Sequence, residues 1–169
     1  MDELLFYIID GDYIEHLRRF DSRVSYNKDE SKYIRPYIGI VLEINKFSYF
    51  VPLYSFKEHY KKYRNNPSIF IIYNKDKKPI SILRFSTMIP VLNNSNVIKL
   101  LEFDKQDIKY NDLISEEYRY INQNKKEIYK RAMKIYKLVV LNKNSNFFKT
   151  ISCDFKLLEN KSMIYRKEQ

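Results

Sequence analysis

Over the first 105 residues the apolar positions fall in short runs bounded by charge or turn residues, and beyond them they recur at helical spacing. Leu4-Leu5-Phe6-Tyr7-Ile8-Ile9 has the length and neighbours of a buried strand. Asp10 stands where a capping carboxylate would open a short helix to Phe20, with Tyr13, Leu17 and Phe20 along one face. Asp21 to Pro36 is polar and aperiodic, which predicts a long loop. Tyr37 to Ile44 is nearly all apolar, and Lys46 to Leu53 alternates Phe47, Tyr49, Val51 and Leu53. With Asn45-Lys46 as a tight turn between them, the two form a hairpin. Ser55 to Arg64 carries Phe56, His59, Tyr60 and Tyr63 at the spacing of a short helix. Ile69 to Tyr73 and Ile80 to Phe85 flank the basic segment Asn74 to Pro79 and predict a second hairpin. Met88 to Leu92 is another short apolar run, and Val97 to Phe103 reads as a strand.

Leu113, Glu117, Tyr118 and Ile121 then suggest a helix. Asn124-Lys125-Lys126-Glu127 has the form of a capping box. Behind it Ile128, Ala132, Ile135 and Val139 make the apolar stripe of a helix, with Lys125, Lys126, Lys130, Lys134 and Lys137 at the other positions. Asp154 to Tyr165 suggests a last helix through Phe155, Leu158 and Ile164. The simplest packing is α+β: a small, strongly bent antiparallel sheet or half-open barrel with helices against it. Periodicity does not separate barrel from sandwich. No repeat or linker divides the chain, so residues 1–169 are expected to form one domain.

Charge changes the picture. Lys and Arg total 31 against 21 Asp and Glu, a net charge of +10. Nucleic acid is the polyanion such a surface suits, although an AT-biased genome enriches the same residues. A hydrophobic fraction of 44% with 16% aromatics excludes a disordered chain. Neither an apolar run of membrane-spanning length nor a basic leader is present, so a soluble, cytoplasmic protein with no membrane partner is expected.

The residue inventory is thin for most catalytic chemistries. Two histidines, His16 and His59, and the lone Cys153 show no zinc spacing, and the carboxylates show no calcium-loop pattern, so no metal site is expected. With only Gly11 and Gly39, a glycine-rich phosphate loop is excluded. His16 reads as a half-buried helix residue and Cys153 as a buried structural thiol.

What remains is basic and hydroxyl chemistry. Tyr54-Ser55-Phe56-Lys57-Glu58-His59 closes one strand of the first hairpin, and Lys32-Tyr33-Ile34-Arg35 precedes the other. Antiparallel pairing sets the start of one strand beside the end of its partner, so Tyr33 and Arg35 should neighbour Ser55 and Lys57. An ordinary solvated rim would look the same. Such a rim also suits RNA cleavage by attack of a 2′-hydroxyl on the adjacent phosphate, which takes proton carriers and cations against the added charge. Tyr33, Tyr54 and Phe56 are candidates for stacking on bases.

Three blocks resemble a known family: Tyr37-Ile38-Gly39-Ile40-Val41-Leu42-Glu43-Ile44, Tyr49-Phe50-Val51-Pro52-Leu53 and Ser55-Phe56-Lys57. The sequence is similar to the ToxN/AbiQ endoribonucleases of type III toxin–antitoxin systems, whose members usually read IGIVLEI…Y.APLTSPK. The similarity continues at Met88-Ile89-Pro90-Val91, from Leu113 to Ile128, and from Cys153 to Glu159.

The resemblance implies a compact, twisted antiparallel β-barrel of the MazF/Kid/CcdB kind with peripheral helices. It implies RNA cleavage without metal or cofactor, leaving a 2′,3′-cyclic phosphate and a 5′-hydroxyl. Its partners would be a small repetitive pseudoknot RNA antitoxin, held in a closed protein–RNA assembly, and cellular or phage transcripts as substrate. Lys57 would be the principal catalytic residue and Ser55 the phosphate-positioning hydroxyl. Tyr33 would match a loop tyrosine and Arg35 the basic residue after it, with His59 a candidate proton carrier. Tyr54 and Phe56 depart from the family's Thr and Pro; Tyr54 would stack on a base or fill the pocket. Lys32, Phe56, Lys61, Lys62, Arg64, Lys75, Lys77, Lys78, Lys130, Lys134 and Lys137 are the candidate RNA contacts. A non-catalytic RNA-binding module and a toxin acting on a protein target are the competing readings.

Overall fold

The computed structural model describes residues 2–26, 33–142 and 144–166. The described residues form seven strands: β1 (Leu5–Ile9), β2 (Tyr37–Ile44), β3 (Phe47–Ser55), β4 (Ile69–Tyr73), β5 (Pro79–Arg84), β6 (Ile89–Leu92) and β7 (Ile98–Leu100). They form an antiparallel sheet in the order β4-β5-β3-β2-β1-β7, with β6 also paired to β3. β3 is the hub. Phe47 to Phe50 pair with β6, and Leu53 to Ser55 pair with β5. Among the described residues the ladder ends at β4 and β7, so the antiparallel sheet is open rather than wrapped into the compact barrel that the resemblance implied.

The first hairpin is as the pattern predicts. Asn45 takes a positive φ of 52° in the turn, which asparagine tolerates, and Ile44 pairs with Phe47 beside it. A register shift between Ile38 and Leu42 bends β2 where Gly39 lies. The second hairpin turns on Asn74, whose side chain accepts from the backbone amides of Asp76 and Lys78 at 3.0 Å each.

Among the described residues there are five α-helices: α1 (Gly11–Arg18), α2 (Ile108–Gln123), α3 (Lys125–Val140), α4 (Asn146–Ile151) and α5 (Phe155–Ile164). Asp10, Asp107 and Asp154 cap α1, α2 and α5 by accepting from Asp12, Tyr110 and Leu157 amides. Helix α2 packs on β4, α3 on β2, and α5 on β6. Tyr13, Tyr37, Tyr49, Phe50, Phe85 and Phe155 are among the largest fully buried side chains. Glu159 lies among them and accepts from the hydroxyls of Tyr49 (2.7 Å) and Tyr136 (2.9 Å) and from Lys156 Nζ (2.9 Å). Those three donors compensate its burial.

Several expectations are corrected. The Asn124–Glu127 capping box does not form. Asn124 Nδ2 instead donates to the Tyr120 carbonyl at 2.8 Å, and Glu127 pairs with Arg131 at 2.8 Å. Asn124 closes α2 as it opens α3, and the C-terminal demand wins. Phe20 lies past the end of α1 and is 40% exposed, so Ile14 takes its place on the buried face. Of the expected Val97–Phe103 strand, Ile98 to Leu100 pair with β1, and the Val97 carbonyl and Leu101 amide carry the bonding one residue further at each end. The short helix expected within Ser55 to Arg64 is present, as a 3-10 helix from Glu58 to Tyr63. Helix α4 had no periodic signal in so short a segment.

His16 and Cys153 behave as structural residues. His16 Nε2 lies 2.8 Å from the Lys161 carbonyl, tying α1 to α5. Cys153 is fully buried, and burial pushes its thiol well above the usual range.

Candidate active site

The end of β3 and the segment leading into β2 meet in a cleft of about 470 Å³. Tyr33, Arg35, Tyr54, Ser55 and Lys57 all line it. The hairpin register therefore brings together the four residues that antiparallel pairing was expected to juxtapose. Leu53 N donates to the Pro36 carbonyl at 3.0 Å, and Arg35 Nη1 donates to the Leu53 carbonyl at 3.0 Å, fastening the two segments. Ser55 and Lys57 are exposed, and the intervening Phe56 turns to the other side. Lys57 keeps extended backbone, φ −131° and ψ 147°, immediately before the 3-10 helix.

Tyr54 is built in rather than offered to a base. The Arg35 guanidinium sits 3.9 Å from its ring centroid and that of Arg84 5.2 Å. Its hydroxyl shares a hydrogen bond with Ser25 Oγ. Tyr54 thus serves as the platform on which Arg35 is held toward the cleft.

Tyr33 is anchored as well. Its ring stacks flat on Tyr110, with centroids 3.8 Å apart and planes at 7°. Its hydroxyl lies 2.6 Å from Asp107 Oδ2 and 3.0 Å from Asp104 Oδ2.

His59 is not brought into the cleft: it is exposed on the 3-10 helix, its ring 4.2 Å from that of Tyr60. Phe56, Lys61 and Arg64 line a neighbouring groove of about 310 Å³ with Tyr73. Lys61 is paired with Glu58 at 2.8 Å, and Lys62 lies 4.9 Å from the Tyr63 ring centroid. Lys75, Lys77 and Lys78 are exposed at the β4–β5 tip, which is tied to α2 by Lys75 N donating to Glu116 at 3.0 Å. Lys130, Lys134 and Lys137 are exposed along α3. Lys32 lies outside the described residues.

Sequence reasoning missed the far wall, made by Tyr60, Ser81, Tyr110, Leu113 and Glu117. The signal was present: Glu117 sits four residues from Leu113 and from Ile121, a charge inside an apolar stripe. It is buried at 2% exposure, and desolvation pushes its carboxyl from 4.5 up to about 7, against the lowering effect of a hydrogen bond from Ser81. A carboxyl raised in the fold favours folding below its unfolded value and loses that advantage as pH climbs to its folded value. Relative to Glu117→Gln, the natural chain should lose about 3 kcal/mol of stability between about pH 4.5 and 7. Urea unfolding of both at pH 5 and pH 8 checks this, the change appearing as a difference between the two proteins.

Ser55 and Lys57 beside Arg35 give a hydroxyl and two cations on one wall, the equipment for gripping and activating a phosphodiester. Among the described residues no three His, Cys, Asp or Glu side chains converge as metal ligands. The family model "Toxin ToxN, type III toxin-antitoxin system" matches residues 5–163. The chain belongs to the ToxN family. It is 33% identical to Endoribonuclease ToxN of Bacillus thuringiensis subsp. kurstaki, over 98% of this chain and 86% of that protein. Endoribonuclease AbiQ of Lactococcus lactis subsp. lactis is 30% identical over 98% of this chain and 91% of its own length. Among solved ToxN-family structures, AbiQ, a lactococcal anti-phage endoribonuclease, superposes with a TM-score of 0.86 at 27% identity, covering 99% of this chain and all of its own (100%). A type III system structure describing selective toxin inhibition by a non-coding RNA pseudoknot gives 0.86 at 31% identity, with 99% and 100% covered.

Proposed function

We propose that this chain is the endoribonuclease toxin of a type III toxin–antitoxin system, carried by a single domain over residues 1–169. The observation that supports this most is the gathering of Ser55, Lys57, Arg35 and Tyr33 in one cleft of a ToxN-family chain. RNA is cut by its own 2′-hydroxyl. The 2′-oxygen loses its proton and bonds to phosphorus as the bond to the 5′-oxygen breaks. That oxygen takes up a proton, leaving a 2′,3′-cyclic phosphate and a 5′-hydroxyl. No metal or cofactor takes part.

Lys57 is the principal catalytic residue, and Ser55 orients the phosphate. Arg35 stabilises charge but holds its proton too tightly to serve as a base. Tyr33 is the proton carrier nearest to hand, with its hydroxyl beside Asp107. His59 lies outside the cleft lining and is the weaker candidate for that role.

A repetitive pseudoknot RNA is the antitoxin, held with the toxin in a closed assembly in the bacterial cytoplasm, and cellular or phage transcripts are the substrate. The β4–β5 tip (Lys75, Lys77, Lys78), the groove of Phe56, Lys61 and Arg64 with Lys62 beside it, and the α3 face contact that RNA. Lys32 is assigned with them. The open sheet is a relative of the MazF/Kid/CcdB barrel, a kinship supported by its continuous antiparallel pairing and by the way β3 changes partner from β6 to β5 along its length.

Replacing Lys130, Lys134 and Lys137 together by serine should weaken binding of folded RNA and lower the slope of log affinity against log salt by roughly 3. Filter binding from 50 to 200 mM salt measures it, on the scale over which phosphate-contacting proteins lose about a thousandfold or more in affinity. The reading itself is tested by incubating the purified chain with transcripts in excess EDTA. Cleavage is expected to persist. Tight RNA binding without cleavage would mark a binding module instead.

A further inference from the structure

The cleft has a floor that the mechanism above does not use. Glu117 projects from the buried face of α2, and Ser81 of β5 donates to its Oε1. Its Oε2 is buried and meets no hydrogen-bond partner among the described residues. Tyr110 stands two helical turns earlier on α2. Its hydroxyl is likewise buried without a partner among the described residues. Both side chains line the same cleft as Ser55 and Lys57. Spacing by seven sets them on one side of the helix.

Buried polar atoms are nearly always paired, because leaving one unpaired forfeits its hydration without return. Two such atoms on the wall of an open cleft call for a ligand that completes them. The surroundings say what shape it has. Tyr110 carries the flat Tyr33 ring at 3.8 Å, and Tyr60 and Leu113 add apolar surface. A flat aromatic ring with a polar edge fits these walls. Where the carboxyl is ionised its oxygen only accepts, so the edge that meets it offers N–H.

We propose that Glu117 and Tyr110 form a nucleobase subsite: Glu117 Oε2 accepts from an N–H of one base beside the scissile phosphate, and the Tyr110 hydroxyl bonds to the neighbouring atom of that edge. Both are then specificity-determining residues for cleavage. Desolvation that raises the Glu117 carboxyl supports the reading, since a donor arriving with the substrate repays that burial. The proposal rests on the endoribonuclease reading.

The test is cleavage of a randomised RNA pool by the natural chain, Glu117→Leu and Tyr110→Phe, with every cut site sequenced. The natural chain should show a strong base preference at one position beside the cut. In both variants the ratio of preferred to non-preferred cleavage should fall about 10- to 100-fold. A purely structural role would lower all sequences alike and leave the ratio unmoved, which would overturn the subsite. Folding of the variants does not limit the test. With the natural chain alone, replacing the preferred base by an analogue without its N–H donors should cost a similar factor, and insensitivity at every flanking position would overturn the proposal. If the natural chain cuts no RNA at all, the endoribonuclease reading falls and the subsite with it. Cutting that persists with the preference unmoved removes the subsite alone.

Discussion

Lys57→Ala is expected to lower RNA cleavage by about a thousandfold or more while leaving the melting temperature within a degree or so, because one residue removes both proton transfer and phosphate charge stabilisation. Lys57 is exposed, stands in ordinary extended backbone and contributes nothing to either hydrophobic cluster. Its removal therefore has almost no structural cost. What it takes away is the cation beside Ser55 at the end of β3. Arg35 stays in place, held by the Leu53 carbonyl and by the face of Tyr54. Charge on the phosphate is still partly met, so substrate binding should weaken far less than turnover. Single-turnover kinetics on a short oligoribonucleotide, with binding measured separately, distinguishes the two. Equal loss of binding and cleavage would reduce Lys57 to a phosphate contact.

Gly39→Ala should be the most damaging single change for its size. A Cβ there would lie 2.3 Å and 2.5 Å from Cδ1 and Cε1 of Phe50. Phe50 is fully buried, its ring meeting Tyr7 edge-on at 5.2 Å, so it has little room to retreat. Overpacking of this kind costs about 3 kcal/mol. In a chain of this length that lowers the melting temperature by roughly 10 °C. Phe50→Leu opens space beside the same Cβ. The double variant should therefore be more stable than the sum of the two single losses, a coupling that denaturant unfolding of all four proteins would reveal. Strict additivity would show that the clash is relieved elsewhere.

Most of the fold was legible because its strands are short apolar runs with turn residues between them. Asn45 and the Asn74–Lys78 tip name their own turns. What was not legible depends on competition between elements. Asn124 belongs to two helices at once, and the sequence cannot say which end its side chain serves. Phe20 continues the spacing of α1 but falls past its last turn, where Lys161 lies over its ring at 4.3 Å.

The candidate site divides in the same way. Its near wall follows from hairpin register, which is local: Ser55 and Lys57 end one strand and Tyr33 and Arg35 precede the other. Tyr110, Leu113 and Glu117 of its far wall come from α2, some fifty residues on, and face Tyr60 and Ser81 there. Only tertiary packing sets Glu117 against Ser81 of β5 and Tyr110 against Tyr33. The role of Tyr54 was open between stacking on a base and filling the pocket. The structure gives its face to Arg35 and its hydroxyl to Ser25, a contact between segments that no spacing rule predicts.

Attack by the substrate's own 2′-hydroxyl, proposed for the cleft of Ser55, Lys57 and Arg35, is open to test on the substrate itself. The most direct measurement pairs an all-ribose oligonucleotide with one carrying a single 2′-deoxyribose on the 5′ side of the cut, and maps the product ends. The account predicts 2′,3′-cyclic phosphate and 5′-hydroxyl ends from the first and no cleavage at that position in the second. Cleavage of the deoxy-substituted strand at the same bond, or a 5′-phosphate on the product, would mean that water or a protein group attacks the phosphate and would contradict it.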